Sequence, residues 1–204
     1  MEIKSPRRRG RPQTFDRDIV LDRAVDTFWA KGYRGASLDD LTASMGIGRP
    51  SLYACFGSKH GLYMAAIDRY AATHGCRPVA ALHGEPDIKR AVSAFFKTSI
   101  SCATSKDRPR GCLIASVAIE DAEEDQQVRE KLSAMFAESE RVVADRFRTA
   151  RDTGQLSEGS DPPAMARMTI SITHSFAARA RVGASAKELS RLADEFMAVL
   201  FPAI

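Results

Sequence analysis

The stretch MGIGRPSLYACFGSK, residues 45–59, decides the fold because it places a proline inside a segment that otherwise has a helical pattern. In the first turn of a helix a proline loses no intrahelical hydrogen bond, and its fixed φ already suits the helix. Pro50 therefore indicates a helix that begins near Arg49. Gly46 permits a left-handed turn just before it. The stretch predicts a turn centred on Gly46, followed by a short helix.

A second short helix is expected immediately before this turn. Ser37 precedes LDDLTAS in the position of an N-cap, and Asp39 and Asp40 fall in the first turn, where the helix dipole favours negative charge. Two short helices joined by such a turn form a helix-turn-helix. Three apolar side chains are expected to face inward and fix the angle between the helices: Leu41, Ile47 and Leu52.

The outward face of the helix that starts at Arg49 has the side chains to contact nucleic acid. Arg49, Ser51 and Tyr53 project opposite Leu52. Residues of these types suit base edges and phosphates in a major groove. The alternative interpretation is a solvated helix end that carries a buried tyrosine.

The rest of the chain also has helical periodicity. Val20, Ala24 and Phe28 recur at spacing four in an amphipathic helix over residues 16–31, and Ser58 begins a long helix towards Ala80. Further helices are predicted over 87–104, 111–121, 125–151, 163–181 and 186–200. No run of alternating apolar and polar residues predicts a strand. We therefore predict an all-α fold.

Composition limits the function classes. The chain has 204 residues, of which 44% are hydrophobic, so it can bury a core. It shows neither a signal-peptide pattern nor an apolar stretch of membrane-spanning length, so we expect a cytoplasmic location and no membrane partner. The four cysteines lack CxxC spacing and are expected to be free thiols.

The net charge of +4 is unevenly distributed and suggests a polyanionic partner. Six basic residues lie within the first seventeen positions: Lys4, Arg7, Arg8, Arg9, Arg11 and Arg17. Within them, Arg9-Gly10-Arg11-Pro12 has the form of an AT-hook core, whose arginines fit a narrow A·T minor groove. The alternative is a basic tail that adds only non-specific attraction.

Residues 16–70 resemble the DNA-binding domain of the TetR family of transcriptional repressors. The resemblance is carried by GYRGASLDDLTASMGIGRPSLYACFGSKHGLY, residues 32–63. It implies that Arg49, Pro50 and Ser51 meet bases or adjacent phosphates. It further implies phosphate contacts for Ser37, Tyr53 and Lys59. Gly48 stands where the family usually has a capping Ser or Thr, and Ala54-Cys55 replaces a frequent bulky or histidine pair.

For the whole chain, the resemblance implies an arm at residues 1–15, a three-helix DNA-binding domain at 16–60, and a helical effector-binding and dimerisation domain at 61–204. The implied partners are double-stranded DNA with a palindromic operator, a small-molecule effector and a second copy of the chain. The predicted function is a repressor released by that effector or by a thiol-reactive signal. The alternative is a non-regulatory architectural protein that coats A·T-rich DNA, which would bind with little preference for any site.

Two apolar faces near the C-terminus predict an assembly surface. One carries Met168, Ile172 and Phe176, and the next helix repeats the pattern. One face can serve the core and the other a partner, and the resemblance implies a four-helix dimer interface. The predicted interface residues are Met168, Ile172, Phe176, Leu189, Leu192 and Phe196.

The segment GCLIASVAIED, residues 111–121, is predicted to form one buried helix. Its polar stripe, Cys112, Ser116 and Glu120, must then meet water, a partner or a ligand. His174 lies on the polar side of its own helix and is expected in the same effector pocket, and the alternative is a histidine that is hydrogen-bonded at the surface. The Gly-Cys-Leu entry resembles that of family members that sense oxidants or electrophiles through cysteine. The alternative for Cys112 is a small structural residue at a helix start.

Catalytic and metal sites are not expected. His74, Cys76 and His83 are close in sequence, but they straddle a proline and lack the paired spacing of structural zinc sites. The chain has no Gly-rich phosphate loop and no GxSxG motif. We therefore expect no enzymatic activity, no metal and no cofactor.

Overall fold

The computed structural model describes residues 15–202, so the arm with Arg9 and Arg11 lies outside the described residues. The described part is built from helices, which confirms the all-α prediction. The α-helices are α1 (Arg17–Gly35), α2 (Leu38–Met45), α3 (Arg49–Phe56), α4 (Lys59–Tyr70), α5 (Cys76–His83), α6 (Ile88–Ala103), α7 (Leu113–Ser116), α8 (Gln126–Asp152), α9 (Pro162–Arg181) and α10 (Ala186–Leu200). Among residues 15–202 no helix is both long and apolar enough to cross a membrane.

The helix-turn-helix forms where the sequence predicts it. Ser37 caps α2: its Oγ accepts the Asp40 N–H at 3.0 Å, and the Asp40 carboxylate accepts the Ser37 N–H at 3.0 Å. Gly46 ends α2 with φ 68° and ψ 29°, the left-handed conformation expected of it. Pro50 lies in the first turn of α3, as predicted. These local features fix the angle at which α3 leaves α2.

The predicted long helix from Ser58 towards Ala80 is interrupted. Ser58 caps α4 through a 2.9 Å bond from the Gly61 N–H, as the sequence predicts. A π-helical turn, Ala71–Gly75, then separates α4 from α5. The chain keeps its overall direction, but the extra residue in this turn resets which side chains face inward.

The prediction of one buried helix over residues 111–121 is wrong. The segment forms the four-residue α7, breaks at Val117 (φ −130°, ψ −62°), and continues as a 3-10 helix, Ala118–Glu123. Leu113 and Ala118 are both fully buried in the same core. In a continuous α-helix residues five apart are rotated by about 140°, so both could not face one core. The break at Val117 allows both to be buried.

Two hydrophobic cores meet along α8. The first unites α1 to α4 with the segment around α7 and with Val128 and Leu132 at the start of α8. The second is formed by α5, α6, α9 and α10 around Val143 and Phe147, further along α8. The helix-turn-helix is therefore packed against the remainder of the protein rather than tethered to it.

Polar contacts reinforce this junction. Arg69 on α4 makes a bidentate pair with Asp22 on α1, at 2.8 and 2.9 Å, and this bonding lowers the pKa of the Asp22 carboxyl. The Tyr63 hydroxyl, also on α4, donates to Asp121 of the 3-10 helix at 2.6 Å. Helix α4 is thus linked both to α1 and to the segment that follows α7.

Candidate nucleic-acid interface and effector cavity

The outward side of α3 forms a surface that we call the recognition face: Gly48, Arg49, Pro50 and Tyr53, which are exposed, and Ser51, which is half-buried. Leu41 and Leu52 are fully buried and Ile47 nearly so, which confirms the predicted inward set. Tyr53 keeps 46% of its surface exposed. The alternative of a buried tyrosine at a solvated helix end is therefore wrong.

The start of α3 is open to an incoming phosphate. Gly48 is the N-cap, and its position carries no side-chain hydrogen bond to the helix. Pro50 has no N–H, and the Ser51 and Leu52 N–H groups bond to the Gly48 carbonyl at 3.0 and 3.1 Å. This leaves the Arg49 N–H as the donor that this helix start offers to an anion. The Arg49 guanidinium lies beside this opening, where it donates to the Asp39 carboxylate at 2.7 Å, and both side chains are exposed. Sequence reasoning gave Asp39 only a helix-dipole role, and the structure adds that it orients Arg49.

Two predicted phosphate-contacting residues are already engaged within the protein. The Ser37 hydroxyl donates to the Asp40 carboxylate at 2.7 Å, so it serves the cap of α2. The Lys59 ammonium lies 4.5 Å from the centroid of the Tyr33 ring, and partial burial lowers the pKa of Lys59. Both residues flank the recognition face at the starts of α2 and α4.

A cavity of about 150 Å³ lies between the two cores, with walls from α4 to α9. Cys112 and His174, two of the four predicted pocket residues, line it. Ser116 and Glu120 do not. The Ser116 Oγ accepts the Cys112 N–H at 3.4 Å, and Glu120 lies exposed on the 3-10 helix. Ser116 lies at the end of α7, bonded back to Cys112, and the break at Val117 places Glu120 on the 3-10 helix, which corrects the predicted stripe.

The wall nearest the DNA-binding helices is an aromatic cluster that sequence reasoning missed. Tyr70 stacks on His74 with ring centroids 5.4 Å apart, and both rings line the cavity. Trp29 of α1 packs edge-on against Tyr70 at 5.0 Å. The Tyr70 hydroxyl donates to the Cys112 Sγ at 3.2 Å. The spacing of four between Tyr70, His74 and Pro78 was the available signal.

The cavity is electrically neutral. None of the residues that line it, all within the described part of the chain, is Asp, Glu, Lys or Arg. Burial lowers the pKa of His74, with Arg108 adding to the effect, and burial likewise lowers the pKa of His174. Burial raises the pKa of the Cys102 thiol on the opposite wall. At neutral pH the lining is therefore uncharged.

The predicted dimer residues divide between the surface and the core. An open groove between α9 and α10 contains Met168, Ile172, Leu192 and Phe196. Phe176 and Leu189 are instead buried in the second core, where Phe176 packs edge-on against Phe96 at 5.6 Å. Leu189 is rotated by about 60° from Leu192 on an ideal helix. Phe176 and Leu189 were predicted to lie in the dimer interface, and this part of the prediction is wrong because both are buried in the second core.

Among residues 15–202 no three His, Cys, Asp or Glu side chains are grouped to hold a metal ion. Of the histidines considered for zinc, His74 bonds through Nδ1 to the Thr73 hydroxyl at 2.7 Å. His83 is exposed at the end of α5.

Comparison with known families identifies the chain. Residues 20–66 match the family described as bacterial regulatory proteins, tetR family. Residues 88–196 match the family described as tetracyclin repressor-like, C-terminal domain. The chain belongs to the TetR family. Its resemblance to that family, predicted from residues 32–63, is confirmed, and with it the role of a transcriptional regulator with a helix-turn-helix.

TetR-family relatives match over nearly the whole chain. The HTH-type transcriptional repressor ComR of Escherichia coli (strain K12) is 32% identical and covers 91% of this chain and 89% of its own length. The uncharacterised regulator YezE of Bacillus subtilis (strain 168) is 29% identical, covering 94% and 99%. A solved structure of the TetR family regulator CifR, a cysteine mutant complexed with 26-bp double-strand operator DNA, is 35% identical with a TM-score of 0.86, covering 92% and 98%.

Proposed function

We propose that the protein is a dimeric repressor that binds a palindromic operator and releases it when a small molecule occupies the cavity. The observation that carries the proposal is the recognition face, where Arg49, Pro50 and Tyr53 are exposed while Leu52 anchors α3 in the core. An anchored helix with an exposed, polar N-terminal half is the arrangement that reads a major groove.

Operator binding is supported by the relatives. ComR is named a repressor, and the CifR structure holds operator DNA. By analogy, Arg49 reads bases, while Gly48, Pro50 and Ser51 bring the backbone of α3 close to phosphates. Ser37, Tyr53 and Lys59 then hold the phosphate backbone on either side. Engagement of Ser37 with Asp40 is compatible with this role, because a hydroxyl that caps a helix can still present a lone pair through bridging water.

Dimerisation is assigned to the groove between α9 and α10. Met168 is 40% exposed there, Leu192 and Phe196 continue the apolar surface, and Ile172, only 4% exposed, forms the floor of the groove. A two-fold dimer through this surface forms a four-helix interface. It presents two recognition faces to successive half-sites, which is why the operator is proposed to be palindromic.

The effector acts through the wall that the cavity shares with the DNA-binding helices. Tyr70 and His74 line the cavity and contact Trp29 of α1, so an occupant that shifts these rings shifts α1 and the helices packed on it. An effector releases DNA only by as much as its affinity differs between the two states. Cys112 lies on the same wall, where a thiol-reactive effector would meet it.

The first test is selection of genomic fragments by the purified full-length protein at physiological salt. Recovery of one palindromic motif is the expected result. Retention of A·T-rich fragments without a shared motif would favour the architectural alternative and overturn the proposal.

Substitutions on the recognition face then separate base reading from phosphate binding. Arg49→Ala should weaken binding to the recovered site about tenfold or more, with a much smaller loss on random DNA of equal length. Lys59→Ala is the matched contrast: it should weaken binding to both DNAs equally and reduce the salt slope by about one. Affinities measured by fluorescence anisotropy over a salt series report both values. Equal losses on the two DNAs for Arg49→Ala would contradict its base-reading role.

A further inference from the structure

The size of the cavity limits its occupant. Its volume is about 150 Å³, between the two hydrophobic cores. An apolar cavity of about 150 Å³ in another protein accommodates benzene. The walls include Phe95, Phe136 and Ile170, which offer flat and branched apolar surfaces on opposite sides. One six-membered ring with a short substituent fills this space, and a second ring would have to lie outside it.

The absence of charge limits the occupant further. The described lining carries no acidic or basic side chain other than two histidines that burial keeps neutral at pH 7. An ion that enters such a site loses its hydration and meets no charged side chain in the lining itself, because Arg77 and Arg108, which act on the pKa values of Cys102 and His74, lie outside it. An occupant that is uncharged avoids this cost.

Among the described wall residues, His174 is the imidazole with both nitrogens free for a ligand, whereas His74 already bonds through Nδ1 to the Thr73 hydroxyl. The hydroxyls of Ser99, Ser139 and Thr173 donate to backbone carbonyls of their own helices, at 2.7 to 2.8 Å. The His174 ring packs against Phe136 with centroids 4.9 Å apart, and within residues 15–202 no hydrogen bond to its nitrogens is found. A neutral imidazole presents one donor and one acceptor. His174 therefore supplies the polar contact that would orient an occupant.

We infer that the effector is a small uncharged molecule, one ring in size, whose hydrogen-bonding substituent meets His174. This inference rests on the proposed function, since it names the ligand class of the same cavity. Entry is through a groove between α5 and α8 that shares Gly75, Val79, Ile114, Met135 and Ser139 with the cavity wall. Met135 is the most flexible of these side chains and separates the groove from the cavity.

An isosteric series of probes tests the charge and the size. Benzamide, benzoate and benzamidine share one shape and are neutral, anionic and cationic at pH 7, and 4-phenylbenzamide adds a second ring. Calorimetric titration of the full-length protein should show benzamide binding at least tenfold tighter than either ion or the two-ring amide. Trp29, the only tryptophan, contacts the Tyr70 and His74 rings of the wall, so its fluorescence should change when benzamide binds.

A substitution at His174 tests the orienting contact. His174→Phe keeps a ring in the wall and removes the imidazole, so it should weaken benzamide binding about tenfold while toluene binds as to the wild type. Retained toluene binding shows that the variant still forms the cavity. His83→Phe, on the exposed end of α5, is the control and should bind both probes as the wild type does.

Three results would overturn the inference: benzoate or benzamidine binding as tightly as benzamide, no probe binding at all, or unchanged benzamide affinity in His174→Phe. The fragment selection separates this failure from failure of the proposed function. If a palindrome is recovered but a charged probe binds best, then the inferred class of ligand is wrong and the proposed repressor function still holds. If benzamide binds tightly but no DNA site is recovered, then the proposed repressor function is wrong and the inferred class of ligand still holds.

Discussion

The turn at Gly46 shows how one residue fixes the geometry of the recognition face. Its left-handed conformation closes α2, because the Gly46 N–H bonds to the Thr42 carbonyl at 3.0 Å while the chain reverses towards α3. A side chain at this position would meet the Arg23 guanidinium, whose nearest nitrogen lies 3.3 Å from the site of an added Cβ. A side chain at position 46 would therefore meet both backbone strain and a close contact with Arg23.

Gly46→Ala should lower the free energy of unfolding by about 1 to 2 kcal/mol, the cost of a left-handed conformation for a residue with a Cβ. Gly46→Asn should lose less, because asparagine tolerates that conformation. Urea denaturation followed by circular dichroism measures both. Gly35→Ala is the control: an added Cβ there makes only an ordinary 3.6 Å contact with Lys31, so stability should change by less than about 0.5 kcal/mol. A Gly46→Ala variant as stable as the Gly35→Ala control would contradict the requirement for glycine.

Among the secondary-structure elements, the helix starts and turns that depend on neighbouring residues were predicted correctly from the sequence. The cap at Ser37, the turn at Gly46 and the proline at the start of α3 each depend on neighbours a few residues away, and all three are confirmed. The break at Val117 depends on packing between distant elements, since Leu113 and Ala118 must reach one core. No periodicity within residues 111–121 indicates such a break.

The cavity was predictable only in part for the same reason. Cys112 and His174 stood out as polar residues on otherwise apolar segments, and both line the cavity. Tyr70, Phe95 and Phe136 come from three different helices and read in the sequence as ordinary core residues. Which of them border a void depends on how α4, α6 and α8 pack, and that arrangement is not encoded in any one segment.

The junction between α5, α6 and α8 supports a prediction at this scale. Arg146 on α8 is 9% exposed, and its guanidinium donates to the carbonyls of Glu85 and Pro86, at 3.0 and 2.7 Å. Arg146→Met keeps the length of the side chain but leaves both carbonyls without this donor, so the free energy of unfolding should fall by about 2 kcal/mol. The urea midpoint measures this loss.

Arg148→Met is the matched control on the same helix. Arg148 is exposed and pairs only with Asp145 three residues earlier, a type of surface contact that contributes little. Its substitution should change stability by less than about 0.5 kcal/mol. If the two variants lose equal stability, then the loop over residues 84–87 is not held by Arg146.

At the scale of the whole molecule, the cavity is where the two cores meet, so its contents affect both. Tyr70 belongs to the first core and Phe95 to the second, and both line the same space. Since α8 runs through both cores, the DNA-binding helices cannot move independently of the cavity walls. This continuity is the route by which the proposed effector would act on DNA binding.

The neutral histidines of the cavity predict how the whole protein responds to acid. The folded-state pKa values of His74 and His174 lie below the ordinary 6.5, because burial disfavours the charged form. In the unfolded chain both histidines take up protons near pH 6.5, whereas the folded protein does so only at lower pH. The stability they contribute is therefore complete above about pH 6.5 and is lost as pH falls towards the folded-state values, with a slope of at most about 1.4 kcal/mol per pH unit for each.

Urea denaturation of the ligand-free protein at intervals from pH 7.5 to 5 should show this decline, and His174→Phe should show a shallower one. Identical pH slopes for the wild type and His174→Phe would mean that the pKa of His174 is the same in the folded and unfolded protein, which would contradict the effect of burial in the cavity wall.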